Sequence, residues 1–255
     1  MAPGILWVSS RIVNKDKLDV EKFCEWYENT HIQEVLILPG FPSALRYEAV
    51  TPVPRGMQYG KEAPWLTTYA MPDVDYRLSQ AFKDLSGGNP PSAELIEAVY
   101  KHTRFDTRFY EERGSFPASS TSPATAPSPT SSSSPTPSSS SSSSTPPKFL
   151  IAATFHAPKD CTTEFPKQFR AKLLPQLEET PGFVRAKTYE VATALVLDRW
   201  NWAAAEGVPG WLVMAEFEGG EAPAVEGFLG EGGVEVGVYK VGRIYWEEEG
   251  GCVGE

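Results

Sequence analysis

His31 is the residue whose type and setting most suggest chemistry. An imidazole titrates near neutrality, and partial burial tunes it toward the work of a general base or acid. At about 100° per helical residue, Val20, Phe23, Cys24, Tyr27, His31, Glu34 and Val35 fall on one arc of a helix. His31 therefore lies on an apolar face one turn after Tyr27, with Glu34 three residues on as a carboxylate that could orient the ring. A histidine so placed is either an acid–base group in a pocket or a core residue bonded to a backbone carbonyl. Tyr47 could donate a phenolic hydrogen bond to a substrate oxygen. It alternates with Glu48 along a strand, as Tyr189 does with Glu190, and alternation alone leaves open which pair faces inward. Trp7, Trp65 and Tyr110 would wall a flat aromatic ligand, or pack a core equally well. Arg108 could hold a carboxylate or phenolate, or pair with Asp106 or Glu112.

Other chemistries lack their parts. The chain has no Gly-x-Gly-x-x-Gly, no Gly-x-x-x-x-Gly-Lys-Ser/Thr and no Gly-x-Ser-x-Gly, so neither a phosphate cradle nor a nucleophile elbow is expected. His31, His102 and His156 are scattered, and neither a metal nor any other cofactor is expected. Cys24, Cys161 and Cys252 are odd in number and widely spaced, which argues against a disulfide framework and for a reduced, cytoplasmic protein. The net charge of −10 divides into −3 before residue 117 and −7 after residue 147, which disfavours nucleic acid as a partner. No apolar run approaches the roughly 18–20 residues of a membrane span, and Met1–Trp7 does not read as a secretory signal.

The elements that must position these residues come in two sets. Residues 117–147 are 15 Ser, 8 Pro, 5 Thr and 3 Ala, a composition expected to stay an unstructured linker. It separates 116 residues from 108, each the size of one small domain. The pieces repeat one another. Pro39-Gly40-Phe41 and Tyr47-Glu48 recur as Pro181-Gly182-Phe183 and Tyr189-Glu190 at a constant offset of 142, which also pairs Phe23 with Phe165, Tyr27 with Phe169 and His31 with Leu173. After gaps, Trp65-Leu66 resembles Trp211-Leu212, and Arg108-Phe109-Tyr110 resembles Arg243-Ile244-Tyr245. Each piece reads strand, helix, strand, strand, helix, strand. The first gives strands at Ile5–Ser10, Ala44–Val50, Leu66–Met71 and Phe105–Glu111. Its helices run from about Val20 to about Leu36, capped by Asp19, and over Val74–Leu85 and Ala93–Lys101. The second gives strands at Phe149–Phe155, Val184–Val191, Trp211–Phe217 and Val238–Glu247, with helices around Phe165–Glu178 and Ala222–Leu229. A four-stranded antiparallel sheet covered by helices on one face is the economical packing of that order.

The run Phe23-Cys24-Glu25-Trp26-Tyr27-Glu28-Asn29-Thr30-His31, followed by Pro39-Gly40-Phe41, resembles the Phe-x-x-Trp-Tyr-x-x-x-His segment of EthD-like proteins of the dimeric α/β-barrel superfamily. The resemblance covers most of residues 1–116 and, more weakly, 148–255. It implies an α+β fold of two ferredoxin-like units, 1–116 carrying the site and 148–255 degenerate, closing an intramolecular dimeric α/β barrel. A monomeric pseudo-dimer follows, with a homo-oligomer as the alternative. It also implies a cofactor-independent enzyme of decarboxylase, cyclase, dehydratase or oxygenase type, whose partner is a small hydrophobic aromatic or polyketide-like molecule. His31 would be the base, Tyr27 or Tyr47 the oxyanion donor, the tryptophans the walls and Arg108 a reserve anion holder. The alternative is a non-catalytic ligand-binding or stress-associated barrel protein.

Overall fold

The computed structural model describes residues 1–51, 62–85, 90–118, 147–156, 164–223 and 234–246. Its strands are β1 (Gly4–Ile12), β2 (Ser43–Ala49), β3 (Trp65–Met71), β4 (Thr103–Pro117), β5 (Phe149–Phe155), β6 (Phe183–Asp198), β7 (Asn201–Ala204), β8 (Trp211–Phe217) and β9 (Glu235–Trp246). All pair antiparallel in the order β4-β1-β3-β2-β9-β5-β8-β6-β7, and a further β4–β6 pairing closes eight of them into a barrel, leaving β7 as an outlying edge. The two halves use the same order. In each, the first strand is flanked by the third and fourth, and the second strand pairs with the last strand of the other half.

Strand alternation sorts side chains into two environments. One face fills the barrel with Ile5, Trp7, Tyr47, Leu66, Tyr110, Leu150, Tyr189, Leu212, Met214 and Tyr239. The other packs against helices outside, around Phe23, Tyr27, Trp65, Tyr69 and Phe105 in the first half and Phe165, Phe169, Trp211 and Phe217 in the second. The barrel lumen is thus a packed core formed by both halves.

The first helix begins as expected, with the Asp19 carboxylate accepting from the Lys22 N–H at 2.7 Å. It then changes pitch. α1 (Val20–Trp26) and α2 (Ile32–Leu36) are joined through a π-helical turn, Tyr27–His31, in which the Ile32 N–H reaches back to the Tyr27 carbonyl. The second half does the same at the matching positions. α5 (Glu164–Gln168) and α6 (Leu174–Glu179) flank the π turn Phe169–Leu173, and the Leu174 N–H bonds to the Phe169 carbonyl. The single-arc reading is corrected: Val20, at the helix start, is exposed, and past the extra residue Glu34 is exposed too, while Ile32 and Leu36 join Phe23, Tyr27 and Val35 in the core.

Other expectations are amended. The stretch from Val74 is a 3₁₀ turn, Val74–Leu78, followed by α3 (Gln80–Lys83), and that from Ala93 is α4 (Ala93–Ala98) followed by the 3₁₀ turn Tyr100–His102. β6 runs well past Val191 and turns back as β7, a hairpin that was not expected. The register of the last strands also shifts. Tyr110 pairs with Ile5 and Tyr239 pairs with Leu150, the corresponding residue of the other half, so Tyr239 rather than Tyr245 is the partner of Tyr110 in the repeat. β4 includes Pro117, the first residue assigned to the linker. Residues 119–146 of that linker, most of the helix expected at Ala222–Leu229, Cys161 and Cys252 lie outside the described residues. Among the described residues, no helix is long and apolar enough to cross a membrane.

Candidate functional site

The helical rod of the first half stands off the sheet far enough to leave a cavity of about 280 Å³. β1 and β4 form its floor through Leu6, Val8, Phe105 and Thr107. His31 and Val35 line it from the rod, Tyr69 from β3, and Phe82 and Leu85 from the segment around α3. Tyr100 and the β6–β7 hairpin, through Leu197, Trp200 and Trp202, complete it. The second half thereby contributes a wall to a cavity built on the first.

His31 is the described histidine on this wall. Its imidazole stacks on Trp26, with ring centroids 5.2 Å apart and planes 24° from parallel, and sits 5.2 Å from the Tyr27 ring. Nδ1 is buried, makes no hydrogen bond, and lies 3.5 Å from the Glu34 carboxylate. That carboxylate is half in solvent, so its pull on the ring is modest. With Nδ1 turned to Glu34, Nε2 is the nitrogen left to serve a ligand.

Tyr69 supplies a second polar group. Its ring lines the cavity, while its hydroxyl is fully buried beside the Tyr27 hydroxyl. Burial, and then the neighbouring Tyr27 hydroxyl, hold this phenol well above its ordinary pKa, so it stays a proton donor. Tyr27 is fully buried behind the cavity, its ring stacked on Phe105 at 6.0 Å, and burial raises its pKa too. Beneath both lies Arg46, almost wholly buried, its guanidinium carbon 4.5 Å from the Tyr27 ring centroid. Arg46 donates to Thr67 Oγ1 at 3.0 Å and lies 3.7 Å from Glu28, which Arg243 of the other half approaches at 3.2 Å. The cation opposes part of the burial effect on both phenols.

The structure brings His31 into contact with Tyr27 and beside Glu34, and separates them from the other candidate site residues. Tyr47 points into the barrel lumen, on the opposite face of the sheet, where burial raises its pKa. Alternation then turns Glu48 outward, where it is exposed. Trp7 and Tyr110 pack edge to face in the same lumen, with centroids 6.4 Å apart. Arg108 is there as well, and the anion it holds is Glu235, through bonds of 2.6 and 2.9 Å, rather than Asp106 or Glu112. Asp106 pairs with Arg104, and Glu112 with Lys187. Trp65 lies on the helix side but under the rod, 5.1 Å from the Phe23 ring, and does not line the cavity.

Tyr69, Arg46, Tyr100 and Trp200 went unnoticed in the sequence. For two of them the repeat holds a usable signal. At the offset that places Leu173 opposite His31, Thr188 stands opposite Arg46. Four residues after each Trp-Leu start, Ala215 stands opposite Tyr69. Positions that are polar or phenolic in one half and reduced in the other mark this cavity. Among the described residues no cluster of His, Cys, Asp and Glu is placed to hold a metal.

No protein-family model matches the chain, and no curated protein matches it. Among solved structures it is similar to an anthrone oxidase-like protein, at 11% identity over 97% of this chain and 94% of that one, with a TM-score of 0.49. It is also similar to two proteins provisionally named monooxygenases. One is from Fusobacterium nucleatum subsp. nucleatum, at 9% identity over 96% and 95% with a TM-score of 0.45. The other is from Lactobacillus acidophilus, at 7% identity over 97% of each chain with a TM-score of 0.45.

Proposed function

We propose that the chain is a tandem form of the EthD-like dimeric α/β barrel, two ferredoxin-like units joined by the linker at residues 117–147. In this reading it is a cofactor-independent enzyme acting on a small hydrophobic, phenolic or polyketide-like molecule. The observation that carries the reading is a pairing: His31 and Tyr69 line one largely apolar cavity. His31 takes a proton from a substrate O–H or activated C–H through Nε2. The enolate or phenolate oxygen so formed accepts a hydrogen bond from Tyr69, which remains protonated because burial disfavours its own anion. The Arg46 cation behind the tyrosines favours negative charge on that side of the cavity, and His31 returns its proton to carbon or oxygen at the end of the cycle. Tyr69 takes the donor role first given to Tyr27 or Tyr47, Tyr27 becoming the group that backs it.

The test is incubation of the purified protein with polyketide-type acids and phenols, following loss of carbon dioxide, loss of water or gain of oxygen by mass spectrometry. His31→Leu copies the residue the second half carries at the matching position, so the fold is expected to survive. Turnover should fall by about 10²–10⁴-fold. Tyr69→Phe should lower it by about 10²–10³-fold. Full activity in either variant removes that residue from the mechanism. Tight binding of phenols without turnover of any of them would favour the binding-protein alternative.

A further inference from the structure

The cavity does not end at its outer wall. Beside it runs an open groove of about 420 Å³ lined by Phe109, Leu195, Ala203 and Ala204, and both spaces are bounded by Phe82, Thr107 and Trp202. The hairpin register explains this continuity. Leu197 pairs with Trp202 and Leu195 with Ala204, so one apolar face of the hairpin runs from the inner cavity to the groove. The two tryptophans of the hairpin differ in restraint. Trp200 is fixed: its ring lies 5.0 Å from Tyr100, and the preceding Arg199 N–H donates to the Thr103 carbonyl at 3.0 Å. Trp202 is 48% exposed and, like Phe82 of the other half, borders both spaces.

We propose that Trp202 is the specificity-determining residue of this site, selecting ligands with a polar head and an apolar tail too long for the inner cavity. The head rests on the reading given above, with its oxygen at His31 and Tyr69. The tail passes the neck between Trp202 and Phe82 and lies along Leu195 and Ala204. A cavity near 150 Å³ holds one benzene ring, so about 280 Å³ accommodates a phenol with a short substituent, and anything longer must use the groove.

Calorimetric titration with 4-methylphenol, 4-propylphenol and 4-hexylphenol tests this. Each methylene taken from water adds roughly fourfold in affinity, and the wild-type affinity should keep rising through the hexyl compound. Trp202→Ala should weaken 4-methylphenol least of the three and remove most of the gain from propyl to hexyl, while Trp202→Phe restores most of it. A wild-type series that levels off at propyl overturns the proposal. So does a Trp202→Ala protein that weakens all three compounds equally, or none. The head assignment is read separately through His31→Leu. If 4-methylphenol binds that variant with unchanged affinity and pH dependence, the function proposed for His31 fails, whatever the tail series shows.

Discussion

Tyr69 and Tyr27 are phenols that the fold keeps neutral, and that has a consequence for stability. Burial raises both pKa values above the ordinary 10.0, as it also does for Tyr110, Tyr189 and the half-buried Tyr245. Above that ordinary value the unfolded chain releases phenolic protons that the folded chain retains. The stabilisation is therefore complete below about pH 10 and is lost as pH rises from there through the raised values, by about 1.4 kcal/mol per pH unit for each deeply buried phenol. Urea unfolding measured at successive alkaline pH values should show this decline, with phenolate absorbance from the buried tyrosines appearing only as the chain unfolds. Their smooth titration in a protein that stays folded would contradict it. His31 was legible at this scale because a helix face can be computed from spacing. Tyr69 and Arg46 were not, because a strand offers two faces and nothing within β2 or β3 says which one meets a helix. Tyr47 was the natural choice among strand phenols, and one residue of parity put it in the lumen.

The Pro-Gly-Phe turn after each helical rod recurs in sequence, but its glycine is left-handed in the second half alone. Gly182 has φ of +83°, and a Cβ there would stand 2.0 Å from the Glu218 carbonyl oxygen, while its own carbonyl accepts from the Glu218 N–H at 2.7 Å. Left-handed backbone and a close approach act together, so glycine is required twice over. Gly207 has a similar φ of +67° but open space around it. Gly182→Ala is therefore expected to cost about 1–3 kcal/mol and Gly207→Ala about 1 kcal/mol or less, read as the difference in denaturant midpoint. Equal losses would show that backbone angle alone decides both sites. The regular strands and Asp19-capped helix were readable from apolar runs and a capping residue. The β6–β7 hairpin was not, since its turn, Asp198-Arg199-Trp200-Asn201, contains no glycine or proline. Arg199 at φ 50° and Trp200 at φ 69° adopt the left-handed region without the residues that usually announce it. That unannounced hairpin carries two of the cavity's aromatic walls.

At the scale of the whole molecule, the two halves are joined by more than the chain between them. β2 pairs with β9 and β4 with β6, and each half completes the other's outer core. Phe116 of β4 packs 5.1 Å from Phe169 in the second half, and Leu197, Trp200 and Tyr245 pack against the core of the first. The duplication behind this was visible as a constant offset. The register of the closing strand was not, because Tyr239 and Tyr245 are an even number of residues apart and a period of two does not separate them. Both seams consist of long backbone ladders, interrupted only at local register shifts, together with buried aromatic contacts, so integrity of the barrel should not depend on an unbroken chain. Proteolytic cutting within residues 119–146 is expected to give two fragments under denaturing conditions that elute as one particle in native size-exclusion chromatography. The far-ultraviolet circular dichroism should be unchanged, because no seam strand is severed. Elution of separate fragments from the cut protein in plain buffer would show that the seams do not hold without the connection. The cavity, whose walls come from both halves, should then fail to bind 4-methylphenol in either fragment alone.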